Sequence, residues 1–179
     1  MALLILIRGN SGAGKTTLAQ KLQTALGTKQ CLLLSQDVLR RDLLHATDQS
    51  GSPVVDLIAE LLKFGSYHFP LTILEGILRK DVYGTMLKQA GGYFDQGVLS
   101  YYLDLSFEKT VTNNQLRTHP FDRQLLEKWW RPKDYLSKDD LLLRDNTGQN
   151  FYNQIMTEIS STLAKNNRSA DSINFKLSN

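Results

Sequence analysis

An unbroken apolar run, Leu3-Leu4-Ile5-Leu6-Ile7, leads through Arg8 into Gly9-Asn10-Ser11-Gly12-Ala13-Gly14-Lys15-Thr16, and Leu18, Leu22, Ala25 and Leu26 follow at helical spacing. A strand with no polar alternation has to be covered on both faces, so the chain must build layers above and below a sheet. The spacing G-x-x-x-x-G-K-[ST] between a strand and a helix suits phosphate: the glycines let backbone N–H groups turn inward, and the helix amino terminus adds positive potential. Lys15 then serves the outer phosphates and the Thr16 hydroxyl a Mg²⁺ ion. Gly9, Asn10, Ser11, Gly12, Ala13, Gly14, Lys15, Thr16 and Thr17 are therefore the candidate residues for ATP, with Lys15 also catalytic and Thr16 the metal ligand.

The rest of the chain keeps the strand–helix rhythm. Further strands fit Cys31 to Ser35, Leu71 to Leu74, Val98 to Leu105 and Leu141 to Leu143. Between them, helices fit Asp37 to Leu44, a segment opening at Pro53, Lys80 to Gln89, and Phe107 to Arg117. A last helix fits Phe151 to Ala164. Such alternation implies a mostly parallel sheet with right-handed crossovers and ligands at the carboxyl ends of its strands. Thr118 to Asp140 breaks the rhythm, being polar, aromatic and basic with two prolines, and reads as a lid.

Composition removes several classes. A length of 179 residues suits a single domain, and a formal charge of +3 with no Lys/Arg run offers no stripe for nucleic acid. Cys31, the only cysteine, sits in an apolar strand and excludes a disulfide framework. No apolar run approaches the roughly 20 residues of a membrane helix, so no membrane partner is expected and the location expected is cytoplasmic. His45, His68 and His119 lack metal-ligand spacing, which leaves Mg²⁺ as the only metal expected. Oligomeric state leaves no mark in the sequence.

Candidate acceptor chemistry lies at the ends of the later strands. A hydroxyl attacking a γ-phosphate benefits from a nearby carboxylate, and Asp37 follows the second strand, which is expected to neighbour the cradle. Asp37 is the candidate general base, with helix N-capping as its structural alternative. Arg40 and Arg41, one turn on, suit an anionic substrate or the orientation of Asp37, or a solvated helix face. Glu75, at the end of the third strand, suits substrate or a Mg²⁺-bound water. Arg117, Arg123 and Arg131 lie in or beside the lid, where guanidinium groups can neutralise charge on the transferring phosphoryl group. Arg8 reads as a solvated charge, Asp104 as a structural acid, and one of Trp129 and Trp130 as core. An Asn-Lys-x-Asp guanine-reading segment is missing, which disfavours a GTPase.

Gly9 to Thr17, Ser35-Gln36-Asp37-Val38-Leu39-Arg40-Arg41, Leu74-Glu75-Gly76, Tyr102-Leu103-Asp104-Leu105-Ser106 and Trp129-Trp130-Arg131-Pro132 together resemble the P-loop small-molecule kinase superfamily. The likeness is to the branch with gluconate kinase, chloramphenicol phosphotransferase, polynucleotide kinase and the zeta-toxin kinases, and spans roughly residues 3 to 160. It implies a three-layer α/β P-loop NTPase fold with a five-stranded, mostly parallel sheet and a short lid. One kinase domain over residues 1–165 is expected, with the lid at 117–140 and a flexible tail at 166–179. The implied activity is transfer of the γ-phosphate of ATP to a hydroxyl of a small molecule. Asp37 takes the place of the branch's proton-accepting aspartate, and Arg117 and Arg131 match its lid arginines best. Nucleotide kinases often pair two arginines four apart here, but the partner position holds Asn113. A toxin-like kinase of nucleotide sugars, and a nucleotide-dependent binding module or ATPase with little transfer, remain as rival readings.

Overall fold

The structure, a computed structural model, describes residues 1–144 and the backbone of 148–177, with side chains to residue 165. In chain order it runs β1 (Leu3–Gly9), α1 (Lys15–Leu26), β2 (Cys31–Ser35), α2 (Pro53–His68), β3 (Leu71–Gly76), α3 (Lys80–Ala90), β4 (Val98–Leu103), α4 (Phe107–Gln115), α5 (Arg123–Trp129), β5 (Leu141–Leu143) and α6 (Gly148–Leu177). The five strands form one sheet in the order β2-β3-β1-β4-β5, and every pairing is parallel. The expected sheet is therefore present, with no antiparallel member among the described residues.

Alternation along β1 divides the core in two. Leu3, Ile5 and Ile7 face Leu18, Ala19 and Leu22 of α1 and Phe151, Ile155 and Ile159 of α6. Leu4 and Leu6 face Val54, Ile58 and Leu62 of α2 and Tyr83, Met86 and Leu87 of α3. The apolar side chains of β1 from Leu3 to Ile7 are all at most 2% exposed, and each contributes on the order of 1.5–3 kcal/mol by leaving water. That double burial is why β1 reads as a continuous apolar run.

Local chemistry sets the element ends. Pro53 opens α2 with Asp56 in its first turn, which suits the positive end of a helix dipole. Ser106 Oγ caps α4 by accepting from Lys109 N at 3.3 Å. Asp122 caps α5 in the same way, accepting from Gln124 N at 2.9 Å.

Several expectations need correction. Strand β2 does not adjoin β1, because β3 lies between them, with Ile7 opposite Glu75 and Glu75 opposite Ser35. The segment after β2 is a wider turn over Val38–Leu43, closed by an i→i+5 bond from Leu44 N to Leu39 O at 3.1 Å, rather than an ordinary α-helix. Asp37 precedes that turn in helical conformation and its side chain makes no capping bond. Helix α6 runs on through Leu177, past the expected helix end at Ala164, and residues 178–179 lie outside the described residues. Neither tryptophan is in the core: Trp129 is 39% exposed, and Trp130 packs edge-on against Phe107 at the surface of α4.

Candidate functional site

The loop between β1 and α1 forms the floor of a cleft of about 1050 Å³ whose far wall includes Lys109, Asn113 and Arg117. Gly9, Gly12 and Gly14 all take positive φ (145°, 80° and 89°), a conformation that L side chains rarely tolerate. At Gly12 the constraint is double, because a Cβ there would lie 2.4 Å from Thr110 O. Helix α4 thus packs directly on the loop, and Asn113 Nδ2 donates to Gly12 O at 3.0 Å. Asn113, at the position where a second lid arginine would stand, serves here as a brace of the loop.

Lys15 is 8% exposed, and its Nζ donates to Asn10 O at 2.9 Å. Burial lowers its pKa to about 8, opposed by the nearby carboxylates of Glu75 and Asp37 and reinforced by the positive charge of Arg117. Four of the candidate residues therefore act on one ammonium group.

Glu75, at 2% exposure, is the acid nearest the cradle. Its Oε1 accepts from Thr16 Oγ1 at 3.1 Å and from Ser35 Oγ at 2.6 Å. A buried carboxylate beside a threonine hydroxyl is a hard-oxygen set of the kind that suits Mg²⁺ and its water shell. The residues present fit ATP with Mg²⁺. No cluster of three or more His, Cys, Asp or Glu able to hold a metal occurs among the described residues.

The residues of Ser35-Gln36-Asp37 diverge to four partners. Ser35 goes to Glu75. Gln36, 1% exposed, donates to Tyr83 Oη at 2.9 Å and Asp48 Oδ1 at 3.3 Å. Asp37, with half its side chain exposed, accepts from Arg40 Nη2 at 2.8 Å. Gly76 makes room for this turn, since a Cβ on it would fall 2.6 Å from Gln36 Cβ. Arg41 is exposed.

The lid residues separate. The Arg117 guanidinium lies over the Phe121 ring at 5.0 Å, on the cleft side. Arg131 is fixed through its backbone: Asn10 Oδ1 accepts from Arg131 N and Asn10 Nδ2 donates to Arg131 O, both at 2.9 Å. Its positive charge helps lower the pKa of Asp81 at the start of α3, which Arg79 chiefly holds down. Arg123 pairs with Glu108 and Glu127 on the surface. Asp104 accepts from Tyr135 Oη at 2.8 Å and Arg144 Nε at 2.7 Å, joining the end of β4 to residues on both sides of β5.

Arg8 overturns its sequence reading as a solvated charge. It is fully buried, donating through Nε (3.1 Å) and Nη2 (2.8 Å) to Leu78 O and through Nη2 to Asp134 Oδ2 at 3.2 Å. Asp140 Oδ2 stands 3.6 Å from Nη1, and the Tyr102 ring 5.6 Å away. Leu78 takes a positive φ of 46°, and the two bonds from Arg8 hold it there. Asp134 also accepts from Lys80 N at 3.1 Å, at the start of α3. Arg8 thus ties the cradle strand to both the loop after β3 and the segment before β5. Nothing at Arg8 itself signals this, because every partner is far away in sequence.

An AAA domain family matches residues 4–89, a stretch that includes the cradle, Asp37 and Glu75. No curated protein matches the sequence. Among solved structures, a gluconokinase from Sinorhizobium meliloti 1021 is similar at 17% identity and a TM-score of 0.61, over 96% of this chain and 95% of that one. A sugar kinase from Janibacter sp. HTCC2649 is similar at 16% identity and a TM-score of 0.66, over 89% and 95%. The APS kinase of Mycobacterium tuberculosis, solved with AMPPNP and APS, is similar at 16% identity and a TM-score of 0.61, over 89% and 98%. At these identities the likeness is one of fold, and it extends over nearly the whole of each chain. The chain has the α/β fold of the P-loop small-molecule kinases, the superfamily that its sequence motifs resemble.

Proposed function

We propose that this protein is an ATP-dependent phosphotransferase that moves the γ-phosphate to a hydroxyl of a small molecule. The observation that carries this reading is the convergence of Lys15, Thr16, Glu75 and Asp37 at the carboxyl ends of β1, β3 and β2. In this reading the loop N–H groups and Lys15 bind the phosphates. Thr16, backed by Glu75, holds Mg²⁺, which when bound offsets charge on the phosphate oxygens. Asp37 takes the acceptor's hydroxyl proton as the acceptor oxygen bonds to the γ-phosphorus and the bond to the bridging oxygen of the leaving ADP breaks. Arg40 orients Asp37, Arg117 faces the phosphates, and Arg131 faces the acceptor with Arg79 and Asp81. Residues 117–140 act as the lid that excludes water.

The test is incubation of the purified protein with γ-labelled ATP, Mg²⁺ and a panel of sugars, sugar acids, nucleosides, aminoglycosides and simple alcohols. A labelled product is expected. Loss of ATP with label only in inorganic phosphate across the panel overturns the transferase reading in favour of an ATPase or nucleotide-dependent binding module.

A further inference from the structure

Asn10 occupies a variable position of the cradle, yet it is 5% exposed and all of its polar atoms except N–H have named partners. Its carbonyl oxygen accepts from Lys15 Nζ at 2.9 Å and from Ala13 N at 3.2 Å. Its carboxamide grips the backbone of Arg131 from both sides, with the oxygen accepting from Arg131 N and the nitrogen donating to Arg131 O, each at 2.9 Å. Tyr102 Oη donates to the same Arg131 oxygen at 3.2 Å and lies 3.4 Å from Asn10 Nδ2. Three residues further on, Asp134 is held by Arg8, two positions before Asn10 in the sequence.

One residue thus joins the phosphate-facing lysine to a lid residue 121 positions away. We propose that Asn10 is a positioning residue that couples occupancy of the phosphate cradle to the placement of Arg131. The inference rests on the reading of the cradle as a nucleotide site.

The physical argument follows from competition for Lys15. A phosphate oxygen in the cradle offers the ammonium group a full opposite charge, a stronger attraction than the dipole of the neutral Asn10 carbonyl. Drawing Nζ toward phosphate changes the pull on the Asn10 backbone. The reciprocal amide pair passes that change to Arg131, because two parallel hydrogen bonds fix both distance and orientation. By linkage, the same contact makes any ligand that orders the Arg131 segment tighten nucleotide binding by an equal factor.

Amide hydrogen exchange on the full chain, with and without AMPPNP and Mg²⁺, tests this in the wild type, N10A, N10D and R131A. In the wild type, saturating AMPPNP is expected to slow exchange over residues 129–135 by about tenfold, as a hydrogen-bonded segment opens less often. In N10A that response is lost at AMPPNP concentrations that calorimetry shows to saturate the variant. N10D keeps the acceptor for Arg131 N but sets a carboxylate against Arg131 O, so it also loses the response and stands in if N10A does not fold. R131A keeps the backbone clasp and responds as the wild type does.

An equal nucleotide response over 129–135 in wild type, N10A and N10D overturns the coupling role, as does binding of AMPPNP with no response in the wild type. Failure of the wild type to bind AMPPNP overturns the nucleotide reading and the coupling role with it.

Discussion

Thr16 Oγ1 donates to Glu75 Oε1 at 3.1 Å, so the helix leaving the cradle and the strand beside it meet at a single buried carboxylate. Removing the charge of Glu75 while keeping its shape is therefore a direct test of the proposed metal site. In E75Q, the gain in AMPPNP affinity brought by Mg²⁺ is expected to fall by about 10–100-fold, the usual cost of losing a group that supports a metal ligand. Calorimetric titration with and without Mg²⁺ reads this, and an unchanged Mg²⁺ gain removes Glu75 from the metal site.

The depressed pKa of Lys15 predicts an early alkaline limit. Phosphate binding favours the charged ammonium, so affinity is complete below about pH 8 and declines as pH rises through that value, by up to about tenfold per unit. A solvated lysine would hold its affinity to beyond about pH 9.5. Fluorescent ADP titrated between pH 6.5 and 9.5 separates the two. E75Q moves the decline to lower pH, because the Glu75 carboxylate is what raises the Lys15 pKa most.

Stability should move the other way. Folding lowers the Lys15 pKa, so the unfolded chain binds more protons between about pH 8 and the ordinary lysine value. The destabilisation is therefore full below about pH 8 and is relieved as pH rises toward the unfolded value. K15M removes the buried charge. It is expected to raise the thermal midpoint at pH 7 by about 2–6 °C, at 2–4 °C per kcal/mol for a domain of this size, while abolishing nucleotide binding. A midpoint lower than that of the wild type would show that the bond to Asn10 O outweighs the burial of the charge.

Arg8 works in the opposite sense, because its removal strands the carboxylates around it. R8M should destabilise the fold by about 3–5 kcal/mol in urea titrations, the range for breaking a buried pair from one side. R8K should recover little, since a single ammonium cannot reproduce the planar fork shared between Leu78 O and Asp134. Wild-type stability in R8K would show that charge alone suffices.

For Asp37, the prediction is kinetic. D37N is expected to lower the rate of transfer to an identified acceptor by about 10²–10⁴-fold, the range for losing a general base, with nucleotide affinity little changed. Full transfer activity in D37N removes Asp37 from proton transfer and leaves its pairing with Arg40 as its role.

How much of this was legible in the sequence depends on how far apart the partners lie. The cradle is contiguous and sits between a strand and a helix, so its shape follows from its own residues. Glu75 was readable as an acid closing an apolar strand, and the helices Lys15–Leu26 and Pro53–His68 from their periodicity and the opening Pro53. Strand order was not, because β2 and β3 are equally short and apolar and nothing in either states which one adjoins β1. That ambiguity set β2 rather than β3 beside β1 in the expected sheet. The wide turn over Val38–Leu43 is equally silent, since its bonds span one residue more than an α-helix without a distinct apolar period. Helix α5 was missed within the lid, although Asp122 before Leu125 and Leu126 is a capping signal. Arg8 and Asn10 were misjudged or undervalued because their partners, Leu78, Arg131, Asp134 and Asp140, converge only once the sheet has formed.

The placement of β3 between β1 and β2 has a consequence for how such a protein can diversify. Neighbouring strands lie about 4.8 Å apart, so the tip of β2 stands roughly 10 Å from the tip of β1, with Glu75 in the gap. Under the proposed function, recognition of the phosphate donor and recognition of the acceptor would therefore reside on different loops, meeting at Glu75. Variation confined to residues 38–52 and 77–84 should retarget the protein to new compounds while its handling of nucleotide is inherited unchanged, which makes those two loops the natural ground for directed evolution.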